Sequence, residues 1–454
     1  MPGLFSLSRA ARMLGGRLVG DGAVTPSSLS IDSRSLQPGA CFVALRAERD
    51  GHEFAVAAIE KGAAALLVDH ELPLGVPQLV VPDSLLALQD WGRLRLEAAR
   101  PRAVFGVTGS VGKTSTKELL AAAVGGWKTP GNRNNTLGLP EALATLPDGL
   151  PAAVLEMGMS TPGEIRRLTE IAPLDFGLIT LIGSAHIENF AKGQEGIAEA
   201  KGELVAGIRP GGAWAFLASD PWCHWVAAQP WAAHAMAVPV GDGEAFGWEE
   251  VRSLGPLGER FTLRTPEYRL PIELRLRGAH QIRNAALAAS IALLAGFDRE
   301  QVASGLGTVQ PETGRGRLHA LTGGGWLLDE TYNASADSIR ACAEALLELE
   351  GGEAVAVLGS MRELGPEAAR IHRDTGEALK RLGLSRLWAY GDHARDYADG
   401  FGPGGSAFPG FEALRDAPGG LGSLPAGARI LVKGSRFWAA ERAVAWILAR
   451  HGVD

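Results

Sequence analysis

Cysteine is scarce: only Cys41, Cys223 and Cys342 occur in 454 residues. They lie far apart and in no ligand spacing, which excludes a disulfide framework and a paired-thiol metal site and fits a reduced, cytosolic protein. No apolar run reaches the roughly 18 residues that a membrane helix needs. Residues 1–20 carry Arg9, Arg12 and Arg17 but neither the apolar core nor the cleavage site of a secretion signal, so neither membrane insertion nor export is expected. Positive charge is in deficit, with 44 Lys and Arg against 51 Asp and Glu and a net charge of -7. That balance argues against a nucleic-acid partner, while leaving room for a local basic pocket that takes a small anion. His-Glu-x-x-His, Cys-x-x-Cys and Gly-x-Ser-x-Gly are all absent, so zinc and serine hydrolysis lack support. There is no internal repeat, low-complexity tract or charge run.

What is present is an ordinary globular balance, 46% hydrophobic and 21% charged residues. Its 60 glycines and 26 prolines are spread along the chain. The length suits two or three domains of ~150 residues each. The most informative stretch runs from Ala103 to Thr116. An apolar, β-prone run enters it, a glycine-punctuated turn follows, and a helix-forming run, Lys117 to Ala123, leaves it. Strand, glycine loop and helix make a phosphate cradle: backbone N–H groups and the positive helix end face the anion, and Lys113 neutralises further charge. The Thr114 hydroxyl is placed as a Mg²⁺ ligand. Strict spacing would put glycine at 107, where Val107 stands, with glycine at 106 and 109 instead. The loop is therefore a variant, and its flanking strand and helix argue against a chance Gly-Lys-Thr. A nucleoside triphosphate is the expected ligand, held by Thr108, Gly109, Ser110, Val111, Gly112, Lys113, Thr114 and Ser115.

Read in order, the chain is α/β with three domains. Residues 1–98 alternate short strands (40–45, 64–68 and 78–81) with helices (53–61 and 85–97), a small α/β domain. Its polar residues Ser33, Arg34, Asp50 and His52 read by themselves as solvated loop residues. Residues 99–310 form a central ATPase domain with a mostly parallel sheet. After the phosphate loop come a polar turn at 131–138, a strand ending in Glu156, and a strand over 176–182 that leads to His186. Ligands of parallel sheets sit beyond the carboxyl ends of the strands. A phosphate loop, a carboxylate and an imidazole at three such ends suit Mg²⁺-assisted transfer. Lys201, on a helix over 197–204, reads as a solvated lysine. The tryptophans of 214–248 read as packing in a loop-rich run. Asn284 stands near the start of an Ala/Leu helix as a cap or a ligand contact. Residues 311–454 read as a Rossmann-like domain with strands at 325–328, 354–358, 386–390 and 430–432 and a turn-rich loop at 402–422.

Taken together these stretches resemble the Mur ligases, in the branch that adds D-alanyl-D-alanine. The resemblance runs nearly end to end, through Asp32-Ser33-Arg34, Asp50-Gly51-His52, Thr108 to Thr116, Asn132 to Gly138, Leu155 to Met159, Ser184 to Glu188, Ala200 to Glu203, Asp329 to Ala334 and Val432 to Arg436. The stretch Asp-Glu-Thr-Tyr-Asn-Ala is its most particular part, and the Asp-Asn-Pro-Arg motif of the diaminopimelate-adding branch is absent. Departures from the expected pattern fall at Ala47, Ser160, Leu181, Ser335 and Ser360.

The resemblance implies an ATP-dependent amide ligase in cytoplasmic peptidoglycan precursor synthesis. It would join UDP-N-acetylmuramoyl-tripeptide to D-alanyl-D-alanine through an acyl phosphate, and act as a monomer. The residues carrying catalysis would be Lys113, Glu156, His186 and Lys201. Two Mg²⁺ ions would be held by Thr114 and Glu156 and by His186, the second supported by Lys201 if it is carbamylated. Asn284, Arg315 and Asp329 would meet the nucleoside of ATP. Ser33, Arg34, Asp50, Gly51 and His52 would meet the UDP-sugar substrate, with Asn135 added to the substrate set. Asn333, Ser335, Asp337 and Arg436 would line the dipeptide pocket, and the third domain would close on the ATP. A folylpolyglutamate-synthase-like acceptor fits less well, because that family begins with the ATPase domain. A silent nucleotide-binding scaffold is argued against by the retained Lys113, Glu156, His186 and Lys201.

Overall fold

A computed structural model describes residues 5–453. Four sheets carry the chain, and each large one is covered by helices, as parallel strands require. The first holds β1 (Arg17–Val19), β2 (Leu29–Ser30), β3 (Cys41–Val43), β4 (Ala65–Val68) and β5 (Gln78–Val80) in the order β1-β5-β4-β3-β2. All its pairings are parallel except β1 with β5. The helix Ser84–Ala99 leaves this sheet, capped by Asp83, whose carboxylate accepts from the backbone N–H groups of Leu85 and Leu86.

The central sheet has β6 (Ala103–Thr108), β7 (Trp127–Lys128), β8 (Ala152–Glu156), β9 (Leu174–Ile179), β10 (Ile208–Leu217) and β11 (Met236–Val240) in the order β11-β10-β9-β6-β8-β7, with every pairing parallel. Strand β6 is buried along its whole length, which is why its sequence is a continuous apolar run with no alternation. Beside it stands a small antiparallel sheet, β12 (Gly247–Ser253), β13 (Glu259–Arg264) and β14 (Arg269–Leu274). Inward residues Phe261, Leu263, Ile272 and Leu274 join the same core as Phe105 and Val107. The C-terminal sheet contains β15 (Arg317–Leu321), β16 (Gly325–Glu330), β17 (Ala354–Gly359), β18 (Arg386–Tyr390), β19 (Gly405–Phe408) and β20 (Arg429–Lys433). Its order is β15-β16-β20-β17-β18-β19, antiparallel only between β15 and β16.

Several expectations need correction. The helix after the phosphate loop begins at Lys113, inside the glycine turn, and runs to Val124. Strand β9 ends at Ile179, so Thr180 to Ile182 lie beyond the strand end, facing the loop. The segment 402–422 contains edge strand β19 and the helix Phe411–Asp416. Its glycines masked both, because a four-residue edge strand leaves too little periodicity to read. The tryptophan-rich run is more regular than expected, holding part of β10, the helix Pro221–Ala227 and β11. Packing is the role of most of these rings: Trp214 is fully buried, and Trp222 and Trp225 lean on the same core, whereas Trp231 is exposed.

Candidate active site

The carboxyl ends of β6, β8 and β9 face those of β16 and β20 across a cleft of about 1350 Å³. Ser110 to Ser115 line its central wall, and Tyr332, Asn333, Ser335, Asp337 and Arg436 line the opposite one. The phosphate loop is shaped by close approach. A Cβ at Gly109, whose φ is +150°, would lie 1.9 Å from Thr180 Oγ1, and one at Gly112 would lie 2.9 Å from Asn284 Oδ1; only glycine fits either place. Ser110 N donates to Leu181 O at 2.7 Å, and Ser110 Oγ accepts from Gly183 N at 2.9 Å, so the turn after β9 braces the loop.

Glu156, at the end of β8 and 2% exposed, is the most heavily held group. One carboxylate oxygen accepts from Thr114 Oγ1 at 3.0 Å and the other from Asn134 Nδ2 at 2.8 Å. Lys117 Nζ lies 3.4 Å away and also donates to Gly131 O at 3.0 Å. A hydroxyl and a carboxylate oxygen set side by side at the root of a phosphate loop form a hard-oxygen donor pair that suits Mg²⁺. Lys113 Nζ rests on Gly109 O at 2.7 Å. Burial draws its ammonium below the usual lysine range; Glu156 opposes this and Arg315 adds to it.

His186 also lines the cleft, and its Nδ1 contacts a carboxylate oxygen of Glu363. Burial lowers the imidazole's proton affinity; Glu363 opposes this, and Lys113 and Lys201 reinforce it. Lys201 corrects the reading of a solvated lysine. It is 2% exposed, and no carboxylate pairs with it among the described residues. Burial, with Lys113 nearby, pushes its ammonium far down. Burial that disfavours the ammonium favours the free amine, the form that carbamylation requires. The oxygen donors, the imidazole and this amine together fit the implied metal ions.

The remaining expected residues divide into two groups. Asn135, Asn284 and Arg315 line the cleft with Asn333, Ser335, Asp337 and Arg436. Asn284 is not a cap: Gly278 holds the N-cap position, and Asn284 lies buried within the helix Ala279–Leu294, donating to Gln281 Oε1. Arg315 and Arg436 both lie over the Tyr332 ring, at 3.6 and 5.5 Å from its centroid. Ser335 caps the helix Ala336–Leu347 in a reciprocal arrangement with Ser338.

Thr108, Gly109 and Asp329 stand behind the lining. Asp329 is 2% exposed, and its carboxylate accepts from Gly314 N, Thr331 N and Thr331 Oγ1. It therefore pins the turn and stands outside the cleft lining. The next residue, Glu330, lines the cleft and pairs with Lys433 at 3.3 Å. Successive side chains of a strand point to opposite faces, so a one-residue choice within Asp-Glu decides which carboxylate reaches the site.

Ser33, Arg34, Asp50, Gly51 and His52 are not in the cleft lining. Arg34 is exposed and folds back on Asp32. His52 is buried, with Nδ1 on Asp50 at 2.6 Å and Nε2 accepting from Asp69 N at 3.3 Å. Gly51 is required there, since a Cβ would lie 2.6 Å from the Leu45 backbone. Sequence reading also missed Lys117, Asn134, Glu330, Glu363 and Lys433. Asn134, Glu330 and Lys433 fell within stretches already singled out, and Lys117 opens the helix run that leaves the phosphate loop.

A phosphate loop, a hydroxyl–carboxylate pair and a two-walled cleft define a nucleotide-using transferase or ligase, and comparison with known proteins makes the class specific. Residues 26–107 match the Mur ligase family catalytic domain, 107–292 the Mur ligase middle domain and 315–436 the Mur ligase glutamate ligase domain. The chain belongs to the Mur ligase family. Among curated relatives it is 34% identical, over 97% of both chains, to the UDP-N-acetylmuramoyl-tripeptide–D-alanyl-D-alanine ligase of Escherichia coli (strain K12). It is 33% identical to the enzyme of that name from Bacillus subtilis (strain 168), over 82% of this chain and 81% of the relative. Among solved structures, MurF from Acinetobacter baumannii superposes with a TM-score of 0.90 at 30% identity, covering 99% of this chain and 100% of that one. Mycobacterium tuberculosis folylpolyglutamate synthase, at 17% identity and a TM-score of 0.60 over 81% of this chain and 96% of that one, shares the fold.

Proposed function

We propose that this chain is an ATP-dependent amide ligase that adds D-alanyl-D-alanine to UDP-N-acetylmuramoyl-tripeptide in peptidoglycan precursor synthesis. The observation that carries the reading is the single cleft in which the phosphate loop and Glu156 face Asn333, Ser335, Asp337 and Arg436. End-to-end similarity to ligases of that name supports the substrates, and the related Thermotoga maritima MurF, solved with ADP, supports the nucleotide. We assign residues 1–98 to the UDP-sugar substrate, 99–310 to ATP, and 311–454 to the dipeptide and to closure on ATP. Ser33, Arg34, Asp50, Gly51 and His52 belong to the first assignment.

The reaction has two displacements. A carboxylate oxygen of the tripeptide attacks the γ-phosphorus, the bond to the β-phosphate oxygen breaks, and ADP and an acyl phosphate form. The dipeptide amine then attacks the acyl carbon; the carbon–oxygen bond to phosphate breaks, phosphate departs and the amine loses a proton. Catalysis here is mostly positioning and charge stabilisation. Lys113 and the loop N–H groups hold the phosphoryl oxygens, and Arg315 adds positive charge from the opposite wall. Thr114 and Glu156, and His186 with a carbamylated Lys201, would hold Mg²⁺, which disperses phosphate charge when bound. Arg436 and Asp337 suit the carboxylate and ammonium ends of a dipeptide by charge. ATP and a UDP-linked precursor place the work in the cytoplasm, and one chain supplies both walls, so a monomer suffices.

The test is phosphate release with Mg²⁺-ATP and UDP-N-acetylmuramoyl-tripeptide, carrying lysine or diaminopimelate, with and without D-alanyl-D-alanine. Release that needs all three, with pentapeptide product seen by mass, is expected. Nucleotide binding without acceptor-dependent release would overturn the reading.

A further inference from the structure

One contact in the cleft has no part in the scheme above. His186 follows β9, whereas Glu363 follows β17 in the opposite wall, yet Nδ1 of the one touches a carboxylate oxygen of the other. Both residues have φ of +62°, a left-handed conformation that non-glycine residues adopt at a cost and that clusters at functional sites. The two turns meet a second time two residues on: a Cβ at Gly365 would lie 3.1 Å from Glu188 Cβ.

The root of the Glu363 turn is fixed. Met361 N donates to His372 Nε2 at 2.9 Å, Ser360 N donates to Tyr390 O at 3.0 Å, and Ser360 Oγ accepts from His393 N at 3.0 Å. Two strained turns, one rooted in each wall, are thus held so that an imidazole and a carboxylate meet.

A histidine that binds a metal through one ring nitrogen donates the other N–H to a carboxylate or carbonyl, and that partner fixes the tautomer and the ring orientation. The contact is close but not aligned as a hydrogen bond, and buried Nδ1 has no hydrogen-bond partner among the described residues. Once Nδ1–H is turned onto Glu363, the proton is held there and Nε2 is left with the free lone pair. On the functional reading above, on which this rests, we infer that Glu363 is a positioning residue for His186, delivered from the opposite wall. When the C-terminal part closes, it supplies the carboxylate that makes His186 competent to hold the metal. Phosphoryl transfer is thereby tied to closure.

The test uses the full chain, with Mn²⁺ and a non-hydrolysable ATP analogue as probes. Mn²⁺ affinity and the hyperfine coupling of an imidazole nitrogen to Mn²⁺ are read by electron paramagnetic resonance for wild type, Glu363→Ala and Glu363→Gln. Glu363→Ala is expected to weaken the imidazole-coordinated Mn²⁺ about 10–100-fold and to lose the coupling. Glu363→Gln should fall between, because its amide oxygen still accepts from Nδ1–H, and it decides the matter if the alanine variant fails to fold. Folded variants with wild-type affinity and coupling would overturn the inference and leave the ligase reading intact. A wild type that ligates but shows no imidazole coupling would also overturn it, by removing His186 from the metal. Absence of both nucleotide binding and ligation would overturn the functional reading itself.

Discussion

At the scale of single residues, burial decides which groups carry chemistry and which carry structure. Glu156 and Lys117 are 2% and 1% exposed on their side chains and 3.4 Å apart. Lys117→Met would leave the carboxylate in the interior with only neutral donors. Removing one member of a buried pair costs about 3–5 kcal/mol, so the denaturant-induced unfolding of Lys117→Met should show a loss of that order. A loss below about 1 kcal/mol would mean that Thr114 and Asn134 alone satisfy Glu156. The sequence departures are also legible at this scale. Ser360 is fully buried, donates to Tyr390 O and accepts from His393 N, so it holds a loop without needing a charge. Leu181 serves the phosphate loop through its backbone carbonyl, which any side chain permits. Ser335 earns its place as a helix cap.

At the scale of elements, the helix Ala368–Leu382 does more than cover a sheet. His372 lies on it, fully buried, between Met361 N and Ala368 O, and it ties the helix to the turn that bears Glu363. Burial, first of all, holds the His372 imidazole down to about 4, against about 6.5 in an unfolded chain. The unfolded state therefore binds the extra proton first. The stability from neutral His372 is fully present above pH ~6.5 and is lost as pH falls toward 4, by at most about 3 kcal/mol. The thermal midpoint should drop between pH 7.5 and pH 5, and His372→Gln should drop less over the same interval. Equal drops in the two proteins would show that His372 is not the group responsible. The phosphate loop is an element of the same kind, since its shape depends on Thr180 and Asn284 from other elements as much as on its own glycines.

At the scale of the whole molecule, the site exists only where two walls meet. Glu363, Arg315 and Arg436 come from beyond residue 310, while Lys113, Glu156 and His186 come from before it. Charge on both walls repels until an anion fills the gap: Arg315 helps lower the hold of Lys113 on its proton. ATP should act as the missing counter-charge and draw the walls together. X-ray scattering should show the radius of gyration falling on addition of a non-hydrolysable ATP analogue with the UDP-linked substrate. The limit it approaches is the ~22 Å of a compact chain of this length. An unchanged radius would mean that the walls meet without ligands.

The sequence by itself determined the α/β architecture, the phosphate loop despite Val107, the acid and imidazole at strand ends, and membership of the Mur ligases. Those are local properties: strand period, turn chemistry and residue types within a few positions of one another. Tertiary structure decided the rest. Lys201 reads as a solvated helix lysine, and only packing beside Cys223 and the central sheet makes it a buried amine. Asp329 and Glu330 are adjacent carboxylates in sequence, and the register of β16 against β20 sends the second to the cleft and the first into the turn at Gly314. His186 and Glu363 are 177 positions apart, and no local pattern can announce a contact that forms only when two sheets face each other.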